Sequence, residues 1–271
     1  MNIEEQLRQQ YATLPFSDNF MFTHVMENLN IARKVIKIIL QEEIPDIDKS
    51  DIEKTVETSV GIHGVRYDVH IRTAEGEIIY NVEMQQTDKK NLPKRMRYYQ
   101  ATADTSFLQK NTDYNALPKY YTIFICKYDP FGTEVALHKF CNYDVAGHLP
   151  LGDETYKVVL NVLGTTDRKE LQGFMDYVTN GIVSDDTTQD IDTEVNKIRQ
   201  NSVLMKDYLD MKIRDDELKN ESRAEGRAEG RTEGRLETLK QAIESLKKTM
   251  SIEAIVAMFN ISDSERKILA I

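Results

Sequence analysis

Two short segments that alternate apolar and polar residues constrain the fold more than any other feature, because together they predict a β-hairpin. Segments 64–72 and 78–85 each alternate, and the turn 74–77 separates them. Successive side chains of a strand point to opposite faces, so a slip of one residue would invert every side chain. Matching the two apolar faces therefore pairs Thr73 with Ile78.

The same register places two carboxylates opposite each other on the polar side, those of Asp68 and Glu83. Like charges directly across a strand pair are unfavourable. Arg66 and Arg72 could neutralise them, one carboxylate could hold a proton, or a divalent cation could lie between them. Spacing alone leaves both a Mg²⁺ site and a solvated polar face open. The register also pairs Arg66 with Gln85 and His70 with Asn81.

A basic segment follows the second strand. Lys89, Lys90, Lys94, Arg95 and Arg97 give a charge of +5 within nine residues that contain no acid. The whole chain has a net charge of −10, which argues against a generally basic nucleic-acid coat protein. If a helix starts early enough, Lys90, Lys94 and Arg97 form one stripe. A cationic stripe beside a carboxylate pair suits a phosphate backbone, and a solvated helix face is the other interpretation.

Strand-like and helical segments alternate up to about residue 190, which predicts a mixed α/β fold. The segment 120–128 is almost entirely apolar, β-branched and aromatic, as in a strand buried on both faces. We expect further strands at 55–61, 137–143 and 157–163. We expect helices at 31–42 and 91–109, and another that Ser17 or Asp18 caps.

Several of these stretches resemble the PD-(D/E)XK nuclease superfamily, most closely its recombination-promoting nuclease or putative transposase family. The similar stretches are 16–22, 67–69, 81–85, 95–99, 121–126 and 129–132, together with the Glu-Gly-Arg repeats near the end. The resemblance implies a restriction-endonuclease-like fold with a mixed central sheet flanked by helices. It also implies a Mg²⁺- or Mn²⁺-dependent DNA endonuclease linked to recombination or mobile elements.

The resemblance assigns roles to individual residues. Asp68 and Glu83 correspond to catalytic acids that bind the metal, and the backbone carbonyl of Met84 corresponds to a further ligand. Gln85 stands where the superfamily usually has lysine, although glutamine is usual in this branch. An amide can position the attacking water but adds no positive charge.

Further residues have two interpretations. Asp18 resembles an early acidic metal ligand, and it equally suits a helix cap. Arg97 and Tyr98 lie in the Arg-Tyr stretch of the family and are candidates for contact with DNA. The other candidates for DNA contact are Lys89, Lys90, Lys94 and Arg95.

The composition changes near residue 190. We expect a nuclease-like domain at 1–183, a polar linker at 184–192 and a helical tail at 193–271. The tail repeats Arg-x-Glu-Gly at 223–234, so like charges meet at i, i+4, which is unfavourable in a lone helix. Two interpretations of this segment are open. In one, paired, coiled-coil-like helices form a homo-oligomer; in the other, the segment is a frayed, solvated linker. At 251–271 we expect two short helices that pack or oligomerise rather than read DNA.

Other features limit the class of protein. The longest apolar stretch, 120–126, is far shorter than the ~20 residues of a membrane span, and the N-terminus does not resemble a signal peptide. Cys126 and Cys141 cannot form a disulfide framework or a cysteine-rich zinc site. We expect a cytoplasmic protein.

Three functions remain open: a metal-dependent endonuclease, a catalytically weak or inactive DNA-binding or regulatory member of the same fold, and an oligomerising scaffold.

Overall fold

The structure is a computed structural model with two compact units, Met1–Tyr208 and Leu209–Ile271. It describes residues 2–52, 55–56, 65–108 and 113–271. Among these residues, no helix has both the length and the apolar character that a membrane span requires.

The secondary structure alternates between helices and strands in the first unit and is helical in the second. The helices are α1 (Ile3–Ala12), α2 (Asn19–Met26), α3 (Leu29–Leu40), α4 (Leu92–Phe107), α5 (Lys169–Asn180), α6 (Asp186–Arg199), α7 (Ser202–Leu246), α8 (Ile252–Phe259) and α9 (Asp263–Leu269). The strands are β1 (Ile47–Ile52), β2 (Thr55–Val56), β3 (Val65–Arg66), β4 (Val69–Thr73), β5 (Ile78–Gln85), β6 (Lys119–Cys126), β7 (Leu137–Phe140) and β8 (Thr155–Asn161). Helix α1 was not expected from the sequence.

Six of the strands form one mixed sheet in the order β1-β4-β5-β6-β8-β7. Strands β5, β6 and β8 are parallel, whereas β4 is antiparallel to its two neighbours and β7 is antiparallel to β8. Every residue of β5 and β6 except the first is buried, as expected for central strands with helices on both faces. The predicted α/β fold with a mixed sheet flanked by helices is therefore confirmed.

Helix α4 covers one face of this sheet. Its apolar side packs on β6 and β8 in a cluster of Leu92, Met96, Phe124, Cys126 and Val159. On the opposite face, the Tyr121 hydroxyl donates a hydrogen bond to Glu42, just after α3. Helices α2, α3, α5 and α6 pack against one another. The even-numbered residues of β6 and the odd-numbered residues of β5 thus face α4.

The predicted register of the β4–β5 hairpin is confirmed. Val69 pairs with Val82, and His70 pairs with Asn81, which places Asp68 opposite Glu83. The turn requires a glycine, because Gly76 has a φ of +74° and an added Cβ would lie 2.4 Å from the guanidinium of Arg72.

The strand predicted at 64–72 is interrupted. Arg66 in β3 pairs with Thr55 in β2 instead of Gln85, and residues 67–68 form a bend before β4 begins. The predicted pairing of Arg66 with Gln85 is therefore wrong. The bend also turns Tyr67 onto the α4 side, where it packs with Ile79, Ala103 and Tyr120. Part of the strand predicted at 55–61 lies outside the described residues.

The polar stretch predicted as a linker, 184–192, contains the start of α6. Asp185 caps this helix through a capping box with Thr188. The polar residues at the start of this stretch therefore cap a helix. Ile191 and Val195 are buried in the first unit. The boundary between the two units consequently follows Tyr208.

The second unit contains α7 from Leu209 onward and the two short helices predicted near the end of the chain. The last part of α7 packs with these two helices. They share a core of Leu239, Ile243, Ile255 and Ile261. Ser251 caps α8, and Ser262 caps α9 through the predicted capping box with Glu265. In contrast, residues 223–235 of α7 are exposed on every side of the helix.

Candidate functional site

Asp68 and Glu83 meet where the hairpin register predicts, and each carboxylate is held by the backbone of the other strand. The Asp68 N–H donates a hydrogen bond to Glu83 Oε1 at 3.1 Å. The Met84 N–H donates one to Asp68 Oδ2 at 3.1 Å. Because both donors are backbone amides, the two carboxylates are fixed side by side.

The two carboxylates differ in their exposure to solvent. The side chain of Glu83 is 1% exposed, whereas Asp68 is half-buried. Burial, and after it repulsion by Asp68, raises the pKa of Glu83 well above its usual value, although Arg95 and hydrogen bonds oppose the shift. The alternative of a solvated polar face is therefore wrong for Glu83. Such a buried charge is costly without close partners.

Two side chains complete the surroundings of Glu83. Asn81 Nδ2 donates to Glu83 Oε1 at 3.3 Å, and Arg95 Nη2 lies 3.2 Å from Glu83 Oε2. Arg72 does not provide this charge, because its guanidinium lies against the hairpin turn at Gly76. Among the described side chains, Arg95 of α4 provides a compensating cation.

Arg95, predicted as a DNA contact, points into the protein. Its Nη1 donates to Gln85 Oε1. Its guanidinium packs over the rings of Tyr99 and Phe124, with 4.8 and 5.2 Å to the ring centroids. The side chain is 27% exposed. It is therefore part of the carboxylate site.

Gln85 is hydrogen-bonded at both ends of its amide. Its oxygen accepts from Arg95, and its Nε2 donates to the Thr87 carbonyl at 3.1 Å. In this orientation one N–H of the Gln85 amide remains available to a ligand, while the oxygen is oriented by Arg95. An uncharged amide can position a water molecule but is too weak a base to take its proton.

Asp18 caps α2, as one of its two interpretations predicted. Its Oδ1 accepts from the Phe20 N–H at 2.9 Å. Among the described residues, no group of three or more His, Cys, Asp or Glu side chains is arranged to hold a metal. Asp18 therefore does not join Asp68 and Glu83 in a three-carboxylate set.

The start of α2 nevertheless lies at the same end of the sheet as Gln85. Lys127 follows β6, and its N–H donates to the Gln85 carbonyl at 3.0 Å. The ammonium group of Lys127 donates to Ser17 Oγ at 3.0 Å. The cap of α2 thus borders the candidate site without contributing a carboxylate to it.

The donor set of this site suits a hard divalent cation. Asp68 and Glu83 provide carboxylate oxygens, and Mg²⁺ commonly binds one or two carboxylates together with waters and substrate phosphates. An oxygen-only set favours Mg²⁺ or Mn²⁺ over Zn²⁺. Burial, and after it the negative charge of Asp68, raises the pKa of Glu83, and a bound cation would favour the charged carboxylate. Met84 contributes its N–H here, and its carbonyl remains a predicted ligand.

The predicted cationic stripe loses its first member. Helix α4 begins at Leu92, with Pro93 in its first turn, a position that proline favours. Lys90 lies before the helix with a φ of +54°, and its ammonium group pairs with Asp88. It therefore does not share a helix face with Lys94.

The other predicted DNA contacts are on the surface. Lys89, Lys94 and Arg97 are exposed, and Tyr98 is 37% exposed. Lys94 and Arg97 lie one turn apart on α4. These side chains are therefore accessible to a phosphate backbone.

Sequence reasoning missed three residues that support the site. Asn81 bonds Glu83, and Tyr99 and Phe124 pack on Arg95. Asn81 could have been found, because it is two residues before Glu83 on the same strand face. Leu92, Met96, Tyr99 and Ala103 follow the spacing of one helix face, which also places Arg95 toward the sheet.

Residues 20–167 match the family model described as PD-(D/E)XK nuclease family transposase. The match covers more than half of the chain and includes Asp68, Glu83 and Gln85. The chain belongs to this family. No curated protein and no solved structure matches it significantly.

Membership of the PD-(D/E)XK nuclease family transposases confirms the resemblance and agrees with the restriction-endonuclease-like α/β fold. It indicates a nuclease-type hydrolase with DNA as the class of substrate. Enzymes of this type generally use divalent metals. Asp18 lies outside the matched segment.

Proposed function

We propose that this protein is a divalent-cation-dependent DNA endonuclease that hydrolyses phosphodiester bonds in recombination or the movement of mobile elements. The observation that carries the proposal is the pairing of Asp68 with Glu83 through reciprocal backbone hydrogen bonds. A buried carboxylate beside a second one is costly to fold, and such arrangements cluster at functional sites. Family membership supports DNA as the substrate.

In this proposal each side chain of the candidate site has a separate task. Asp68 and Glu83 hold Mg²⁺, which Mn²⁺ can replace. When bound, the cation supplies Lewis acidity toward water and the scissile phosphate. Gln85 donates its remaining amide N–H to orient the attacking water. Asn81 keeps the Glu83 carboxylate in place.

Exposed cations next to the site would bind the DNA backbone. Lys89, Lys90, Lys94 and Arg97 contact phosphates, and Tyr98 packs against the DNA. Because the chain has a net charge of −10, affinity depends on these few contacts and falls steeply with salt.

The C-terminal helices would join two copies of the chain. Residues 223–235 of α7 are exposed on all sides, and their period of four separates an arginine stripe from a glutamate stripe. Two such helices can place the arginines of one against the glutamates of the other. We propose a homodimer through this segment.

Cleavage of supercoiled plasmid by the purified full chain tests the proposed activity. We expect nicked and linear DNA with Mg²⁺ or Mn²⁺ and none with EDTA. Asp68→Asn should reduce the rate by about 100-fold or more, because it weakens the site for the cation that would stabilise the charge developing on the phosphate in the transition state. Asp46→Asn is a matched control, since that carboxylate is 85% exposed and lies beside the hairpin turn, at the end of β5 opposite to Glu83 and Gln85. Equal cleavage by wild type and Asp68→Asn would contradict the assignment.

A catalytically weak or inactive DNA-binding or regulatory role is the second candidate, and Gln85 favours it. The amide supplies no charge of its own where the superfamily usually has lysine. This candidate predicts DNA binding without cleavage, lost in Lys94→Glu or Arg97→Glu. The plasmid assay separates the two candidates, because only the first predicts metal-dependent product.

A further inference from the structure

Arg95 bridges the two polar side chains at the end of β5. Its guanidinium lies 3.2 Å from Glu83 Oε2 and also donates to Gln85 Oε1. A guanidinium is a planar fork with fixed donor directions, so one group can bind both acceptors at once. Arg95 therefore links the two side chains, in addition to the bonds that Asp68 and Asn81 make to Glu83 and that Gln85 makes to Thr87.

Aromatic rings hold this guanidinium from the other side. Tyr99 lies one turn further along α4, and Phe124 lies opposite Glu83 on β6. Both ring centroids are close to the guanidinium carbon, at 4.8 and 5.2 Å. Cation–π contacts of this kind stabilise a partly desolvated arginine. Arg95 is thus packed in place, whereas the Lys90 side chain is 86% exposed.

Binding a DNA phosphate would require Arg95 to leave these partners. Glu83 is buried, and Arg95 Nη2 lies 3.2 Å from its carboxylate oxygen. Removing one partner of a buried ion pair is strongly unfavourable. The exposed Lys94 and Arg97 can reach a phosphate without this cost.

Arg95 also supplies the charge that Gln85 lacks. It remains protonated at any physiological pH. By bonding the Gln85 oxygen, it leaves the amide N–H as the group that can face a ligand. The pair therefore combines a fixed positive charge with a hydrogen-bond donor at the place where the superfamily usually has one lysine.

We propose that Arg95 is a positioning residue of the candidate site, which holds Glu83 and orients Gln85, and that it does not bind DNA. Its effect on catalysis rests on the proposed nuclease function. Its role as the partner of Glu83 does not, so the two parts can be tested separately.

Thermal unfolding of the metal-free full chain tests the pairing with Glu83. Arg95→Gln should lower Tm by about 6 °C or more, as expected when a buried ion pair is broken. In a Glu83→Gln background the same change should cost less than half as much, because no buried charge is left unpaired. Arg97→Gln, on the exposed side of the same helix, should leave Tm nearly unchanged. An equal loss in both backgrounds would overturn the pairing.

The salt dependence of binding to a fluorescent DNA duplex in EDTA tests whether Arg95 contacts phosphate. Arg97→Gln should reduce the slope of log Kd against log salt by about 1. Arg95→Gln should leave both the slope and the Kd unchanged. If it reduces the slope as much as Arg97→Gln does, Arg95 is a DNA contact and the proposal is wrong.

Cleavage kinetics with Mg²⁺ complete the test. Arg95→Gln should lower kcat by at least about 10-fold at unchanged KM, because an interaction made in the transition state is lost. If Arg95→Gln does not fold, Arg95→Lys tests the same role. The lysine keeps the charge but lacks the fork, so it should recover most of Tm but little of kcat. Full recovery of kcat by lysine, or a rise in KM alone, would contradict positioning.

These arms distinguish the two proposals. If the wild-type chain does not cleave, the nuclease function fails, while unfolding and salt dependence still decide the role of Arg95. If cleavage occurs but Arg95→Gln lowers Tm equally in the wild-type and Glu83→Gln backgrounds, only the role of Arg95 fails.

Discussion

The buried carboxylate of the first unit and the charged repeat of the second unit differ in their exposure to solvent. In Met1–Tyr208, Glu83 is buried among donors that come from Asp68 just before β4, from β5 and from α4. In Leu209–Ile271, the charges of residues 223–235 are exposed on every side of one helix. A solvated charge costs the fold little, and an exposed ion pair contributes only about 0–1 kcal/mol. A buried carboxylate requires compensation from several elements, and this is the feature that indicates a chemical task.

The largest expected effect comes from cutting the chain at the two candidate boundaries. A chain that ends at residue 184 lacks α6, whose Ile191, Val195 and Ile198 are buried. It also loses the hydrogen bond from the Tyr11 hydroxyl to the Ile198 carbonyl. We expect it to lack a cooperative thermal transition by circular dichroism. A chain that ends at residue 212 should keep the transition and the metal-dependent cleavage.

The chain that ends at residue 212 also tests the role of the tail. Light scattering should give a dimer for the full chain and a monomer for the chain ending at residue 212. A dimer in both cases would place the interface in the α/β unit. A folded chain 1–212 that no longer cleaves DNA would show that the tail takes part in substrate capture.

A smaller effect is expected from the paired carboxylate within the helical unit. Hydrogen bonds from Arg235 and from Ser262 lower the pKa of Glu265 to about 2. Because this folded-state pKa lies below the usual value, the contribution of Glu265 is present above pH ~4.3 and is lost as the pH falls toward about 2. The Tm difference between wild type and Glu265→Gln should therefore be largest near neutral pH and vanish near pH 2.

Glu244→Gln is the matched control for this measurement. Glu244 is exposed in the same unit and lies outside the repeat, so its replacement should change Tm little at any pH. If the two variants show the same pH dependence, the pairing of Glu265 with Arg235 is not the source of the effect.

The hairpin and its carboxylate pair could be predicted because both follow from strand alternation and turn length. These are local rules, and the apolar faces leave one register. The same rules could not reveal that the strand breaks at residues 67–68, because the break depends on Tyr67 packing against α4 residues such as Ala103.

Composition was a poorer guide than spacing. Within the basic segment Arg95 has the same charge as its neighbours, and the spacing of Leu92, Met96 and Tyr99 on α4 is what places it toward the sheet. The polar stretch 184–192 has the composition of a linker, but Asp185 and Thr188 use those polar groups to cap a helix. In both cases the tertiary partner determines the role.

Titration of the metal-free full chain with Mn²⁺, followed by the electron paramagnetic resonance signal of the free ion, tests the central claim most directly. We expect a site in the wild type that Lys94→Gln retains. Asp68→Asn should bind at least about 10-fold more weakly. A wild-type chain that binds no Mn²⁺, or an Asp68→Asn variant that binds it as tightly, would contradict the assignment of Asp68 and Glu83 as a metal-dependent catalytic pair.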